Sequence, residues 1–160
     1  MNKRIIKTKE LNGLVAKICR NISSQSWRPE YIVGINQSGL VPAVMLSNWL
    51  NVPMYALSTE ESNLWMAEDA YGYNLESGKN ILVMDSLNDG GEAFNHIMLD
   101  WAGGCLPHDE RWEDGIWNSN VRFAAVIDRL TSKCRVGMDY SGEEIDSDIT
   151  VEFPWQSWWT

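Results

Sequence analysis

The sequence has little of the chemistry that marks metal-binding, disulfide-bonded or membrane-spanning proteins. Its three cysteines, Cys19, Cys105 and Cys134, are far apart and odd in number. This spacing excludes the usual paired-cysteine metal sites and indicates reduced thiols. No apolar run approaches the roughly 20 residues that cross a bilayer, and the opening MNKRIIKTKE lacks the apolar core of a signal peptide. We therefore expect a cytoplasmic protein with no membrane partner.

Basic residues are also scarce. The 13 lysines and arginines face 22 acidic residues, which gives a formal net charge of −9, and the basic residues form no run or stripe. Such a balance argues against nucleic acid as a partner, because non-specific binding depends on a basic surface. An acidic protein that binds phosphates needs backbone amides and a metal ion to offset its own field.

What the sequence does contain is an alternation of apolar strands and amphipathic helices, which predicts an α/β fold in a single domain over residues 1–160. A parallel, twisted sheet flanked by helices follows from this order. The predicted strands are 31–35, 54–57, 81–85, 121–128 and 149–153. The predicted helices are 9–24, 40–50 and 92–100.

Three connections are long and irregular in composition. We predict a flexible loop at 58–80, an insertion at 102–120 and a polar, turn-rich segment at 136–148. The loops at 36–39, 58–80 and 86–91 all follow predicted strands. Ligands of open α/β sheets bind outside the carboxyl ends of the strands, so these three loops are expected to surround a site.

The central stretch is ILVMDSLNDGGEAFNHIMLDW at 81–101. A buried strand ends in Asp85, a polar loop with Gly90 and Gly91 follows, and a helix begins at Glu92. The first N–H groups of a helix lack internal partners and attract anions. Asp85 and Asp89 are acceptors for hydroxyls or ligands for Mg²⁺. The alternative is an ordinary turn between strand and helix with no ligand.

Three segments, in order, resemble the type I phosphoribosyltransferases, closest to the purine-salvage (hypoxanthine or xanthine-guanine) branch. They are YIVGINQSGLVPA at 31–43, the stretch 83–93, and DYSGEEIDSDITVEFPW at 139–155. The resemblance implies that family's fold, with a small C-terminal hood at 136–160 and the 58–80 loop closing over the active site. It implies transfer of phosphoribosyl from phosphoribosyl pyrophosphate (PRPP) to a purine-like base, with Mg²⁺ as cofactor. It also implies a homodimer or higher homo-oligomer.

The resemblance assigns roles to residues of this chain. Asp89 would contact the base or share its proton, and Asp85 would position the ribose and bind the metal. Arg129, or else Lys133, and Trp155 would bind the base. The pyrophosphate loop would be Asn36, Gln37, Ser38 and Gly39. The PRPP and phosphate residues would be Asp85, Ser86, Asn88, Asp89, Gly90, Gly91, Glu92 and Ala93.

The chain departs from the family motifs at positions where that family has charged or hydroxyl side chains. Ser86 replaces a second acid, Gly90 and Ala93 replace two threonines, and Gln37 replaces a basic residue. An alternative is therefore a catalytically degenerate nucleotide-binding or regulatory protein of the same fold. A third hypothesis is an acidic interaction protein that uses the insertion at 102–120, because six of the nine tryptophans lie in the second half of the chain.

Overall fold

The computed structural model of the chain describes residues 2–72 and 78–160. Five strands form one parallel sheet in the order β3-β2-β4-β5-β6, and two short strands, β1 and β7, form a separate parallel pair. The strands are β1 (Lys3–Ile5), β2 (Tyr31–Ile35), β3 (Met54–Leu57), β4 (Ile81–Asn88), β5 (Val121–Arg129), β6 (Tyr140–Ile145) and β7 (Thr150–Glu152). The predicted α/β fold with a parallel sheet is confirmed.

Helices cover both faces of the sheet. They are α1 (Thr8–Ser23), α2 (Asn36–Leu50), α3 (Leu64–Tyr71) and α4 (Glu92–Gly104), with a π-helical turn at Trp112–Ile116 and a 3-10 turn at Pro154–Gln156. Successive side chains of a strand point to opposite faces, so the inner strands β2, β4 and β5 contribute side chains to two cores. On β4, Val83 packs in the core with α3 and α4, while Leu82 and Met84 pack in the core with α1 and α2.

Strand β4 is longer than predicted. The polar loop was expected to begin at Ser86, but Leu87 and Asn88 still pair with Ile127 and Asp128 of β5. Polar residues continue this strand because its backbone groups are satisfied by the neighbouring strand rather than by solvent. The turn before α4 is therefore shorter than predicted.

The prediction of a loop at 36–39 is wrong, because helix α2 begins directly at Asn36. The chain turns from strand to helix at this one residue, whose φ of 51° is left-handed, a conformation that asparagine tolerates. The Asn36 side chain accepts a hydrogen bond from the Thr59 N–H at 3.0 Å. Residues 36–39 are thus the first turn of a helix, whose N–H groups lie at the sheet edge.

The segment 58–80 is not an irregular loop throughout. Helix α3 occupies Leu64–Tyr71, and Met66, Ala67 and Ala70 are buried in the core. The sequence did not indicate this helix because only one short apolar face is present. Residues 73–77, which belong to the same predicted loop, lie outside the described residues.

The insertion at 102–120 is more ordered than predicted. Helix α4 continues to Gly104, and Trp112 and Trp117 are buried at 2% and 6% exposure. The Trp112 indole N–H donates to the Cys105 carbonyl oxygen at 3.1 Å. Exposure of either indole would have favoured the third hypothesis, and both are buried.

The segment predicted as turn-rich at 136–148 contains strand β6, which extends the main sheet. Because β6 contains glycine and acidic residues, the sequence did not predict a strand here. In the structure, Tyr140 is buried and Gly142 lies against Leu14 of α1. The expected hood at 136–160 is thus divided. Its first part joins the main sheet, and its last strand, β7, pairs with β1, which the sequence did not predict. Across the described ranges, no helix combines the length and apolarity that crossing a membrane requires.

A glycine at position 39 is required by close packing. A Cβ on Gly39 would lie 2.6 Å from the Met84 carbonyl oxygen of β4. We expect Gly39→Ala to lower the free energy of unfolding by roughly 1–3 kcal/mol, as overpacking does, in chemical denaturation. Gly13→Ala in α1 is the control, because its Cβ meets nothing within 4 Å. That variant should gain up to about 1 kcal/mol from helix propensity, and equal effects of the two substitutions would contradict the packing argument.

Candidate functional site

Two cavities flank the carboxyl end of β4. The first cavity, of about 620 Å³, lies between the β4–α4 turn, the loop after β5 and strand β7. The second cavity, of about 640 Å³, lies between the first turn of α2 and the C-terminal segment. Both have volumes typical of ligand sites, and both stand where an open parallel sheet places its ligands.

Asp85 is the buried acid between them. Its Oδ1 accepts hydrogen bonds from the Ser38 hydroxyl at 2.8 Å and from the Ser86 N–H at 2.7 Å. Burial raises the pKa of Asp85 to about 6, although both hydrogen bonds oppose the shift. The structure therefore brings together Asp85, Ser86 and Ser38, three of the residues that the sequence assigned to the site.

The β4–α4 turn has one covered face and one open face. Lys133 N–H donates to the Gly90 carbonyl oxygen at 3.1 Å, and the backbone of Cys134 lies against Gly91, whose φ is 90°. In the part of the chain that the structure describes, no acceptor is bound to the N–H groups of Gly90 or Gly91, or to those of Glu92 or Ala93. Gly90 and Glu92 border the first cavity, so the turn keeps unpaired donors beside it.

A carboxylate stands beside these donors. Both Glu92 carboxylate oxygens lie where a side chain on Gly90 would be placed. Glu92 is exposed and begins α4, where a negative charge is favoured by the helix dipole. The chain's own anion thus lies next to the position that the sequence analysis assigned to a phosphate.

Asn88 supports the turn from within the protein. Its amide donates to Asp128 at 2.8 Å, and its carbonyl oxygen accepts from the Ser132 hydroxyl at 2.9 Å. The side chain is buried and both of its polar ends are engaged. Asn88, predicted as a PRPP residue, is placed so that it ties the loop after β5 to the end of β4.

Arg129 lines the first cavity. Its Nε donates to the Asp89 carboxylate at 2.6 Å, and its two terminal nitrogens donate to the carbonyl oxygens of Ser147 and Ile149. The Arg129 side chain is 7% exposed, whereas that of Asp89 is 66% exposed. Arg129, predicted to bind a base, therefore also fixes the segment before β7 and orients Asp89. Thr131 and Lys133 line the same cavity.

The second cavity is lined without charged side chains. Trp155 stacks on Phe153 with ring centroids 4.8 Å apart and planes inclined by 13°. Gln37 is exposed at the opposite side. The lining residues are Asn36, Gln37, Ser38, Trp155, Gln156 and Trp159. Gln156 and Trp159 were not predicted as site residues; their position just after the FPW segment was the only available signal.

The predicted magnesium site is not built by the protein alone. Among residues 2–72 and 78–160, no group of three or more His, Cys, Asp or Glu side chains is arranged to hold a metal ion. Asp85, the predicted ligand, is buried and bonded to Ser38 and Ser86. These residues do not fit a resident ion. Mg²⁺ commonly binds through one or two carboxylates together with substrate phosphates, so an ion in this site would arrive with a phosphorylated ligand.

The raised pKa of Asp85 makes stability depend on pH. The native state holds a proton that the unfolded chain releases near the ordinary pKa of 3.8, so stability falls as pH rises from about 4 to about 6 and stays lower above that. Asp85→Asn should reduce this slope by the part that Asp85 contributes and be more stable than the wild type at about pH 8. Burial also raises the pKa of Asp128 and Asp139, so these two carboxyls keep the remaining slope. Each pKa unit corresponds to about 1.4 kcal/mol, so the gain is at most about 3 kcal/mol.

The measurement is urea denaturation from about pH 4 to about pH 8. Ser38→Ala is the second variant, because loss of a bond to the carboxylate should raise the Asp85 pKa further and keep the slope. An unchanged slope in Asp85→Asn would show that another group is responsible.

No known protein family matches the sequence, and no curated protein sequence does. Solved structures are nevertheless similar over nearly the whole chain. A purine phosphoribosyltransferase from Pyrococcus horikoshii has a TM-score of 0.66 at 15% identity, covering 97% of this chain and 94% of that one. A xanthine-guanine-hypoxanthine phosphoribosyltransferase from Helicobacter pylori has a TM-score of 0.67 at 12% identity, covering 97% and 93%.

A third similar structure is a hypothetical protein from Neisseria gonorrhoeae with bound ppGpp. Its TM-score is 0.64 at 19% identity, covering 98% of this chain and 91% of that one. At these identities the likeness concerns the fold. The chain has the fold of the type I phosphoribosyltransferases.

Proposed function

We propose that this chain is a phosphoribosyltransferase that moves phosphoribosyl from PRPP to a purine-like base and releases pyrophosphate. The observation that carries the proposal is the first cavity, which joins the unpaired N–H groups of the β4–α4 turn to Asp89 and Arg129. It lies at the carboxyl edge of a sheet with this family's fold. The purine-like base is supported by two similar structures that are purine phosphoribosyltransferases.

The 5′-phosphate would lie at the start of α4. Four backbone N–H groups, from Gly90 to Ala93, can donate to its oxygens there, and the helix dipole favours negative charge. The hydroxyls of the family's two threonines are missing at Gly90 and Ala93. Each lost hydrogen bond to a charged group weakens binding by roughly 1.5–3 kcal/mol, but the backbone donors remain.

The incoming base would be deprotonated or held by Asp89. This carboxylate is exposed to the first cavity, and Arg129 fixes its direction through a single Nε contact. A positioned carboxylate that can reach a ring N–H is suited to general-base catalysis. The Arg129 guanidinium has five donors, of which three are used within the protein, so donors remain for a base carbonyl.

The leaving pyrophosphate would face the first turn of α2. The N–H groups of this helix start supply positive potential where Gln37 supplies no charge. Mg²⁺ would enter bound to PRPP as part of the substrate, with Asp85 as the nearby carboxylate. The three cysteines are free, which supports the proposed reducing, cytoplasmic setting. The homodimer or higher homo-oligomer, and the absence of nucleic-acid and membrane partners, stay predictions.

Calorimetric titration with PRPP in the presence of Mg²⁺ tests this proposal. We expect saturable heat, followed by release of pyrophosphate when hypoxanthine, guanine or xanthine is added. Asp89→Asn should bind PRPP as the wild type does and lose turnover at least tenfold, because the substitution removes only the carboxylate that acts as the general base. Absence of heat at millimolar PRPP would end the substrate assignment.

A second function, nucleotide binding without turnover, is favoured by two observations. The Glu92 carboxylate lies beside the phosphate donors, and Gln37 leaves the second cavity uncharged. One similar structure is also a protein with bound ppGpp. Binding of inosine monophosphate together with no pyrophosphate release from PRPP and any base would support this function over the first.

Both functions predict that Glu92 opposes phosphate binding. Glu92→Gln should tighten inosine monophosphate binding about three- to tenfold, because a like charge next to the phosphate is removed. Glu144→Gln is the matched control, because it makes the same charge change on an exposed residue of β6 outside the first cavity. The measurement is the dissociation constant of inosine monophosphate for each variant, by calorimetry at low salt. Equal gains in both variants would indicate only the overall charge, and no gain in either would mean that phosphate lies elsewhere.

A further inference from the structure

The described residues that line the first cavity include two cations and three carboxylates, which are Arg129, Lys133, Asp89, Glu92 and Asp148. The Arg129 guanidinium is already bound to Asp89 and to two backbone carbonyl oxygens. Lys133 differs, because its ammonium forms neither a hydrogen bond nor an ion pair with any residue of the described stretches. An ammonium carries three donors, so all three of these donors remain for a ligand.

The backbone of Lys133 is fixed to the β4–α4 turn and to helix α4. Its N–H donates to the Gly90 carbonyl oxygen at 3.1 Å, and its carbonyl oxygen accepts from the Asn95 amide at 3.0 Å. The Asn95 side-chain oxygen also accepts from the Arg135 N–H at 2.8 Å, so this one side chain of α4 holds two backbone groups of the loop. The Lys133 side chain therefore starts from a fixed point beside Gly90.

A second set of hydrogen bonds holds the same loop to the end of β4. The Ser132 hydroxyl donates to the Asn88 side-chain oxygen at 2.9 Å and accepts from the Cys134 N–H at 3.2 Å. The Cys134 backbone in turn packs so closely on Gly91 that a Cβ there would lie 2.4 Å from the Cys134 nitrogen. Contacts on both sides of Lys133 thus fix its position relative to the unpaired N–H groups of the turn.

The charge of Lys133 fits a phosphate better than a nucleobase. A phosphate monoester carries nearly two negative charges at neutral pH, and the carboxylates of this cavity repel it. The backbone N–H groups at a helix start supply only about half a positive charge. A lysine ammonium is a compact full charge, which suits phosphate oxygens, whereas an uncharged base carbonyl needs only a donor such as those left on Arg129.

We propose that Lys133 is a phosphate-binding residue of the first cavity, whose ammonium pairs with the 5′-phosphate of a sugar phosphate held at the start of α4. This inference rests on the proposed function, because that function places the 5′-phosphate there. It assigns Lys133 to the phosphate and not to the base, for which the resemblance offered it as an alternative to Arg129. The loop after β5 thereby contributes a full charge to a turn that lacks the family's two threonines.

The test compares Lys133→Gln with Lys79→Gln in calorimetric titrations of PRPP with Mg²⁺ and of inosine monophosphate. The two ligands share ribose 5-phosphate, whereas only one has a base and only the other has a pyrophosphate. Lys133→Gln should weaken both ligands by a similar factor, roughly 5- to 20-fold at low salt, as expected for one charged hydrogen bond reduced by solvent. Lys79→Gln makes the same charge change on an exposed lysine before β4, at the opposite edge of the sheet, and should change either affinity less than twofold.

Three further readouts separate a charge contact from a structural role. The difference in affinity between the wild type and Lys133→Gln should narrow as salt rises from about 0.05 M to about 0.5 M, because salt screens an exposed ion pair. Lys133→Arg keeps the charge and should stay within about threefold of the wild type. The urea midpoint of both variants should equal that of the wild type, because residue 133 binds Gly90 and Asn95 through its backbone.

The two ligands also decide between the possible contacts of Lys133. A loss confined to inosine monophosphate would place the ammonium at the base, a loss confined to PRPP would place it at the pyrophosphate, and either result would overturn the inference. Equal losses in Lys133→Gln and Lys79→Gln, no loss in Lys133→Gln, or a wild type that does not bind both ligands would also overturn it.

The inference and the proposed function can fail separately. Turnover by Lys133→Gln with the wild-type KM for PRPP would overturn this inference and leave the proposed function standing. Binding of both ligands that depends on Lys133, without turnover of any base, would support this inference and remove the transferase.

Discussion

The close contact between the first turn of α2 and the end of β4 is the constraint on which the site depends. Gly39 lies against the Met84 carbonyl, and a Cβ on Gly34 would meet the Gly39 carbonyl oxygen at 2.9 Å, so neither position has room for a side chain. Because the helix approaches so closely, the Ser38 hydroxyl reaches Asp85. Two separate strand-to-helix connections are thereby joined at one buried carboxylate.

The two carboxylates at this edge of the sheet, Asp85 and Asp89, differ in their burial and in their partners. Asp85 is buried and therefore holds its proton more tightly. Asp89 is exposed, so its pair with Arg129 adds little stability, as is usual for ion pairs in water. For the buried guanidinium, the decisive partners are the carbonyl oxygens of Ser147 and Ile149, since an unpaired buried charge costs several kcal/mol. The pair with Asp89 thus sets direction more than stability.

Periodicity and turn residues predicted the strands at 31–35 and 54–57 without error, because short apolar runs between breakers have few alternatives. Helix α3 and strand β6 were missed because tertiary contacts, with α4 and with β5, outweigh their weak local patterns. At the site, the sequence indicated Asp85 and the glycine turn. It could not show that Asn88 faces inward or that Trp159 borders a cavity, since both depend on segments distant in the chain.

The turn before α4 keeps its backbone donors whichever side chains it carries. Backbone N–H groups persist under any substitution except proline, so replacing two threonines removes only the side-chain part of the site. A helix N-terminus carries about half a positive charge, whereas the Glu92 carboxylate brings a full negative one, so Glu92, when turned back, offsets the dipole's attraction for an anion. Glu92 is exposed, and exposed side chains change rotamer within nanoseconds. Under the proposed function, its charge therefore sets how tightly an anion is held at Gly90 and Gly91, and not whether the anion can reach them.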